Sequence, residues 1–560
     1  MNRRLAFCTG VLILTLAGYF LFPGHTYLLS DTQIYVPMFD HLRDSSLFTR
    51  DIMAVRPHLS YTIYDETALL LVRVTRLSFE TVLQAEQILF RALGIAGLVL
   101  IARRLLGTPL RGSGGPDGSA FGLEWVSVAI VTLGATLVGP AVLVFEYEPV
   151  PRGFAVCLLL LAMGLVAEGR DRAAGIAAGF ALLYHPPTAL PFWIVAALLI
   201  RRRALLIPLL PAATILIVMA KLQAGVTESP ALFRKLDWFQ ESLQRMRASY
   251  SFVSMWAARN LYDYAAECVV AAAAIWRLRG ALTRELRALM IGLPLIGLLS
   301  MPVSWVLLEK MHWALIPQFQ PARAVLFITL IAMLGAAVCG VRAAAEGRWI
   351  EAVVWLAVAY FGSIKHVVIG ARLSWQMLAL FVGFAIVTTA AMWLASRTKR
   401  ATLVAAALLP FIAIPASSLV RNYRQIETPD LDQVAAWARA STPVGALFLF
   451  PDAGTGLEPG IFRVRAQRAL YTDWKSGGQV NYFPRFTTDW WQRWIETNRG
   501  RWILKAADFP ALTERGIDYV VVRADHALPG VPEVFRNPSY FVYKAADMLA
   551  HADVGTDKHR

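Results

Sequence analysis

An all-α polytopic membrane domain followed by a smaller extramembrane α/β domain is the fold class this 560-residue chain predicts, and three observations predict it. Hydrophobic residues make up 57% of the chain and charged residues only 17%, too little polar surface for an ordinary soluble globule. From Leu5 to Val420, apolar runs alternate with short polar connections. After Val420 the pattern shifts to short strand-like and helix-like segments divided by polar turns, as in a domain folded in water.

A window of about twenty residues places spans near 5–22, 88–106, 123–144, 153–168, 173–185, 188–200, 204–220, 261–277, 288–308, 323–342, 349–363, 372–395 and 401–420, about thirteen in all. Arg3 and Arg4 precede the first run, and no small-residue cleavage site follows before Pro23, so the run reads as an uncleaved signal anchor. Alternate connections then carry basic clusters: Arg103 with Arg104, Arg170 with Arg172, Arg201 to Arg203, Arg277 with Arg279, Arg342 with Arg348, and Arg397 with Lys399 and Arg400. A cytoplasmic N-terminus therefore satisfies the positive-inside rule at every cytoplasmic turn, and an odd number of spans puts the C-terminal domain outside, periplasmic or extracellular. The spans 173–185 and 188–200 are short and broken by His185, Pro186 and Pro187, which suits a half-deep hairpin.

The outer connections are unequal. Residues 23–87 and 221–260 are long, with aromatics such as Tyr61, Tyr64, Trp238, Phe239 and Trp256 suited to the membrane interface. Residues 1–420 thus form the membrane domain and 421–560 the outer α/β domain. Within the latter, Asp430–Ala440 and Trp490–Thr497 have helical periodicity, while Ala446–Phe450, Asp518–Arg523 and Tyr540–Tyr543 read as strands.

Composition also excludes functions. The net charge of +15 comes from arginines between apolar segments, not from a basic face interleaved with aromatics, so nucleic acid is not the expected partner. Cys8, Cys157, Cys268 and Cys339 all lie inside apolar segments, which indicates neither a disulfide framework nor a zinc site. The glycines of PDAGTGLEPG lack the spacing of a dinucleotide or phosphate loop. Only nine of the 54 basic residues are lysine, a bias of GC-rich bacterial genomes that points to a bacterial inner membrane.

The candidate chemistry clusters in the outer connections. Asp31 directly follows the first span, where a lipid headgroup would lie, and low dielectric there would raise its pKa toward that of a useful general base; the alternative is a helix cap after Ser30. Asp51 closes the same segment as a substrate contact or a structural partner. In FEYEPVPRG, Glu146 and Glu148 form a carboxylate pair able to share the base role or hold a divalent cation, with Arg152 beside them as a phosphate partner or as an internal ion pair with Glu146. His185 could bond a phosphate or a sugar hydroxyl, or be satisfied by backbone at the helix break. Gln318, Gln320 and Arg323 in IPQFQPARA, and Lys365, His366 and Arg372 in a turn that runs against the charge rule, complete the candidate substrate contacts. The tail segment FRVRAQRALYTDWKSGGQVNYF, with Arg463, Arg468, Asp473, Trp474 and Lys475, could clamp an acceptor or simply pack its domain.

An acid after the first span, a long first outer loop, acids in the second, short paired spans around His185 and an outer α/β tail together resemble the GT-C class of membrane glycosyltransferases. SDTQIYVPMFDHLRDSSLFTRD, YHPPTAL, QFQPARA and FRVRAQRALYTDWK also look like a group of uncharacterised bacterial membrane proteins with this layout. The resemblance implies a polyprenyl-phosphate sugar as donor and a glycan, lipid or protein as acceptor. It makes Asp31 the first-loop catalytic acid and Glu148 the second-loop acid, with Arg152 and Arg323 on the phosphate. The second loop has no Asp-x-Asp, so the resemblance assigns no metal. The alternative function, a transporter or flippase of lipid-linked glycans, would call for paired inverted repeats and midplane charges, and neither is prominent.

Overall fold

The computed structural model describes residues 3–55, 62–107, 122–222, 234–367, 374–397, 401–417, 426–498, 504–505 and 508–548. Every predicted apolar segment contains a helix. Those that frame the site are α1 (Arg3–Phe20), α2 (Thr32–Arg43), α3 (Tyr64–Thr75), α4 (Phe79–Leu106), α5 (Leu123–Thr132), α6 (Pro151–Ala167), α7 (Asp171–Tyr184) and α8 (Pro186–Val195). Five helices, Phe79–Leu106, Arg203–Lys221, Arg284–Lys310, Ile316–Ala345 and Trp375–Ala395, are long and apolar enough to cross a membrane, and shorter apolar helices pack among them. The chain is a multi-pass membrane protein. Ile316–Ala345 forms the axis of the bundle, because its most apolar stretch is wholly buried by protein.

One predicted span is shorter than its hydropathy suggests. The segment 123–144 is helical only to Thr132; Gly134 then turns the chain with φ +77, and β1 (Thr136–Leu137) pairs antiparallel with β2 (Val142–Leu143). Hydropathy registers burial, and this hairpin is buried among helices without being one. Elsewhere small residues let helices approach to backbone contact. A Cβ on Gly97 of α4 would lie 2.2 Å from the Leu160 carbonyl oxygen of α6, and one on Gly164 would lie 2.5 Å from that of Gly97.

Ion pairs mark one end of the bundle. The hairpin α7–α8 turns at His185, and at its base Arg202 bonds Asp171 at 2.8 Å and Glu285 at 2.6 Å. Arg277, Arg342 and Arg348 likewise gather on Glu346. The basic clusters in these connections therefore lie at the end opposite His185. The fourteen residues of α7 rise roughly 21 Å at 1.5 Å each, short of a hydrocarbon core about 30 Å thick.

The tail is an α/β unit. Thr428 caps Pro429–Ser441 through Leu431 N–H, with Pro429 at the first turn and Asp430 and Asp432 beside the positive helix end. The five-stranded sheet has the order β4–β3–β5–β7–β6, where β3 is Leu447–Leu449, β4 Ala469–Leu470, β5 Tyr519–Arg523, β6 Phe535–Arg536 and β7 Tyr540–Lys544. β3 runs parallel to β4 and β5, and the remaining pairings are antiparallel. The predicted helices and strands of this region are all present.

The tail is nevertheless part of the same folded body as the connection 23–87. Ile34, Met38 and Met53 share a core with Val480, Phe483, Phe486, Trp490 and Trp494 of the tail. Across that seam Arg463 bonds Asp473 at 3.0 Å, Asp51 at 3.5 Å and the Gln33 carbonyl at 3.2 Å. Arg465 reaches Glu80 and Arg50 reaches Asp518, each at 2.6 Å. The polar composition of the tail conceals this, because its contact face is made of residues any domain core would use.

Candidate active site

Where the seam meets the bundle there is a polar cavity of about 290 Å³, lined from the connection 23–87 (Ser30, Asp31), the start of α6 (Arg152), the α7–α8 break (His185), the segment 247–250, the segment 318–323, and the tail (Trp474, Lys475, Gln479, Asn481). Six stretches far apart in sequence converge here.

Asp31 occupies the residue before α2, but its side chain makes no capping bond, so the cap reading fails. Its Oδ2 accepts from Arg152 Nη1 at 2.5 Å and its Oδ1 from Lys475 Nζ at 2.8 Å. Burial alone would raise this carboxyl; the Lys475 ammonium and then the Arg152 guanidinium outweigh it and hold Asp31 well below the usual carboxylate range. The expected rise is thus reversed, because the same loop convergence that desolvates Asp31 brings two cations to it.

The loop that leads into α6 is the scaffold for this arrangement. Gln87 and Arg91 of α4 donate to the Glu146 carbonyl at 3.0 and 2.9 Å, and Tyr64 Oη donates to the Pro149 carbonyl at 2.6 Å. Pro151 then starts α6, where its fixed φ suits the first turn, and the next residue, Arg152, faces the cavity. Gly153 allows the loop to close, since a Cβ there would lie 2.8 Å from that of Glu146.

The two glutamates take different partners. Glu146 Oε1 holds Arg152 Nε at 2.6 Å, the internal ion pair anticipated from the sequence. Glu148 accepts from the N–H groups of Ser30 and Asp31 at 2.7 and 3.0 Å and from Thr32 Oγ1 at 2.7 Å. Burial and the nearby Asp31 charge push the Glu148 carboxyl up. Glu148 therefore braces the Asp31 loop from behind and, unlike Asp31, is not among the residues that line the cavity. The pair does not converge on a cation position, and among the described residues no group of three or more His, Cys, Asp or Glu could hold a metal ion.

Asp51 takes the structural place that was its alternative. It is fully buried, bonded to Arg463 and to the N–H groups of Met53, Ala54 and Leu470, so it secures the seam and does not contact the cavity. Arg463 and Arg468 are structural too, the latter donating to carbonyls of Arg439 and Thr442. His185 lines the cavity while its Nδ1 accepts from Thr188 N–H at 3.3 Å, which agrees with a histidine satisfied by backbone at the helix break. Gln320, held at φ +50 between two short helical turns, and Arg323 both line it as expected. Arg323 donates to the Pro140 carbonyl at 3.3 Å and lies 5.0 Å from the Tyr250 ring. Lys365 and His366 fall in the last turn of the helix Trp349–Val367 and Arg397 ends the helix Trp375–Arg397, with their side chains outside the described part of the structure, while Arg372, Tyr61, Lys399 and Arg400 lie outside the described residues.

Arg247, Tyr250 and Tyr482 also line the cavity and were missed. Arg247 stacks over Trp474 with its guanidinium carbon 3.8 Å from the ring centre, and burial lowers it to about 10. Burial pushes the Tyr482 phenol up to about 12. The one sequence cue to Arg247 was its place in the long connection 221–260, with its amphipathic stretches.

Helix ends, loops and tail thus build a water-facing, cation-rich cavity at one end of a membrane bundle. Residues 429–497, which carry the tail wall of that cavity, match a family profile described as a domain of unknown function (DUF6798). Two crystal structures of ArnT from Cupriavidus metallidurans, in the apo state and bound to undecaprenyl phosphate, align over 97% of this chain and 98% of theirs at 12% identity, with TM-scores of 0.43 and 0.45. The cryo-EM structure of the arabinosyltransferase EmbB from Mycobacterium smegmatis aligns over 76% of this chain and 42% of its own at 15% identity, with a TM-score of 0.39. No curated protein matches the sequence.

Proposed function

We propose that the protein is a membrane glycosyltransferase that moves a sugar from a polyprenyl-phosphate donor to an acceptor hydroxyl at the outer face of a bacterial inner membrane. The observation that supports this most is the arrangement on Asp31: one carboxylate at a membrane-proximal cavity, each oxygen held by a cation, with Arg323 on the same wall. Arginine and lysine so placed suit a lipid phosphate, and Asp31 suits the acceptor hydroxyl.

In the transfer, the acceptor oxygen bonds to the anomeric carbon, the bond from that carbon to the phosphate oxygen breaks, and the acceptor proton passes to Asp31. The leaving phosphate keeps the electron pair and is held by Lys475, Arg152 and Arg323. With both oxygens occupied by cations, Asp31 is a weak base; donor phosphate competes for Lys475 and Arg152, freeing a carboxylate lone pair and restoring its basicity. The donor accordingly binds before the acceptor. The outer placement rests on the basic clusters lying at the opposite end.

The test is turnover of a panel of radiolabelled polyprenyl-phosphate sugars by purified protein. The reading expects one donor to be consumed, and Lys475→Met and Arg323→Met each to raise its KM by about tenfold to a hundredfold, the cost of a lost charged hydrogen bond. Failure of the wild type to consume any lipid-phosphate sugar would overturn it.

A further inference from the structure

The cavity is lined by three residues with a buried polar atom that the fold does not satisfy, two from the tail and one from the helix Trp238–Arg247 that packs against it. Gln479 and Asn481 are only 3% and 4% exposed, yet Gln479 Oε1 and Asn481 Oδ1 have no hydrogen-bond partner, and neither does Arg247 Nε. All three residues line the same cavity. Leaving one such atom unpaired costs about 1–3 kcal/mol, so three around one cavity point to a partner from outside the chain.

The surroundings keep them in place. Asp473 accepts from the N–H groups of Lys475 and Ser476 and starts the helical turn Lys475–Asn481, fixing Gln479 and Asn481 relative to Lys475. Arg247 donates to the Trp474 carbonyl at 2.6 Å. A Cβ on Gly477 would lie 2.3 Å from Trp490 and 2.8 Å from Arg247 Nε, so the glycine lets the guanidinium lie flat on this turn.

Two amide oxygens ask for donors and one guanidinium N–H asks for an acceptor. Hydroxyl groups answer both, since each is donor and acceptor. Charge narrows the choice. Arg152, Arg247, Arg323 and Lys475 face the cavity with Asp31 as their counter-charge, and neither Arg247 nor Arg323 makes an ion pair among the described residues. Along the cavity wall these four cations face Asp31 and, once a donor is bound, the single charge of its phosphodiester, so lining cations outnumber anions and an ammonium on the ligand would be repelled.

We propose that Gln479, Asn481 and Arg247 form a saccharide subsite that holds the transferred sugar by its hydroxyl groups and takes a neutral sugar in preference to one bearing an amino group. The assignment rests on the glycosyltransferase reading above. It makes the turn Lys475–Asn481 a selectivity element joined directly to the phosphate-binding Lys475.

Equilibrium binding to the full-length protein in nanodiscs tests it with three probes: undecaprenyl phosphate, the same lipid phosphate carrying a neutral hexose or pentose, and one carrying an aminopentose. The neutral sugar lipid should bind at least about tenfold more tightly than the amino sugar lipid. Gln479→Ala and Asn481→Ala should each weaken the neutral sugar lipid about tenfold and leave undecaprenyl phosphate within about twofold. If an alanine variant does not fold, Gln479→Met or Asn481→Leu, closer in volume, takes its place. Equal weakening of both lipids, no weakening of either, or preference for the amino sugar overturns the subsite while leaving the enzyme reading intact. A wild type that binds none of the three lipids overturns the enzyme reading itself.

Discussion

Arg463→Met should loosen the tail from the membrane domain. Arg463 and its partners Asp473 and Asp51 have side chains only 1% exposed, so the arginine is the cation for two carboxylates that cannot reach water. Removing one member of such a buried group typically costs about 3–5 kcal/mol, because the remaining charge stays desolvated. Here the N–H groups of Met53, Ala54 and Leu470 still serve Asp51, and those of Lys475 and Ser476 still serve Asp473, which favours the lower end, about 3 kcal/mol. Limited proteolysis in detergent reads the effect directly: the tail should be cleaved and released at a protease concentration that leaves the wild type intact. Adding Asp51→Asn and Asp473→Asn removes the stranded charges and should recover most of the resistance. Unchanged protease resistance of Arg463→Met would refute the reasoning, as would a triple variant weaker than the single one.

Two further outcomes follow from local packing and charge. Gly97→Val should disrupt the α4–α6 contact, since its Cβ would meet the Leu160 carbonyl at 2.2 Å; loss of monodisperse protein on size exclusion is the readout, with Gly383→Ala, which has open space around it, as the neutral comparison. Burial and the adjacent Asp65 raise the Glu66 carboxyl from 4.5 to about 8, so between those values the folded state holds a proton that the unfolded chain has lost. Stability therefore falls as pH rises through that window, and Glu66→Gln should flatten the fall in melting temperature between those two values; an unchanged slope would contradict the assignment.

Burial and charge pattern made much of this molecule legible in its sequence. The apolar segments resolve as helices because a bilayer demands continuous backbone hydrogen bonding, and the tail strands resolve because Leu447–Leu449 and Tyr519–Arg523 are short β-branched or aromatic runs between turns. Asp31, Arg152, His185, Gln320 and Arg323 were picked out as polar residues at the mouths of apolar segments, and all five line one cavity. What escaped was pairing. Nothing in the spacing tells that Glu148 faces the N–H groups of Ser30 and Asp31, more than a hundred residues earlier, or that Asp51 meets Arg463. The sign of the Asp31 shift escaped for the same reason, since it depends on Lys475, 444 positions away. Arg247 and Tyr250 were hidden because an arginine and a tyrosine in an interfacial loop are ordinary membrane anchors until the tail closes over them.

The central claim is that Asp31 takes the proton of the acceptor hydroxyl while Lys475 and Arg152 hold the donor phosphate. Asp31→Asn keeps the size and shape of the side chain and removes its basicity, so its effect on the transfer rate with a donor that the wild type consumes is the most direct measurement. The account predicts a fall in kcat of about a hundredfold to ten-thousandfold in folded, inserted protein. Because the amide attracts Lys475 and Arg152 less than the carboxylate does, undecaprenyl phosphate should bind the variant at least as tightly as the wild type. Near wild-type transfer by Asp31→Asn, or lost transfer that tracks lost lipid-phosphate binding, would contradict it.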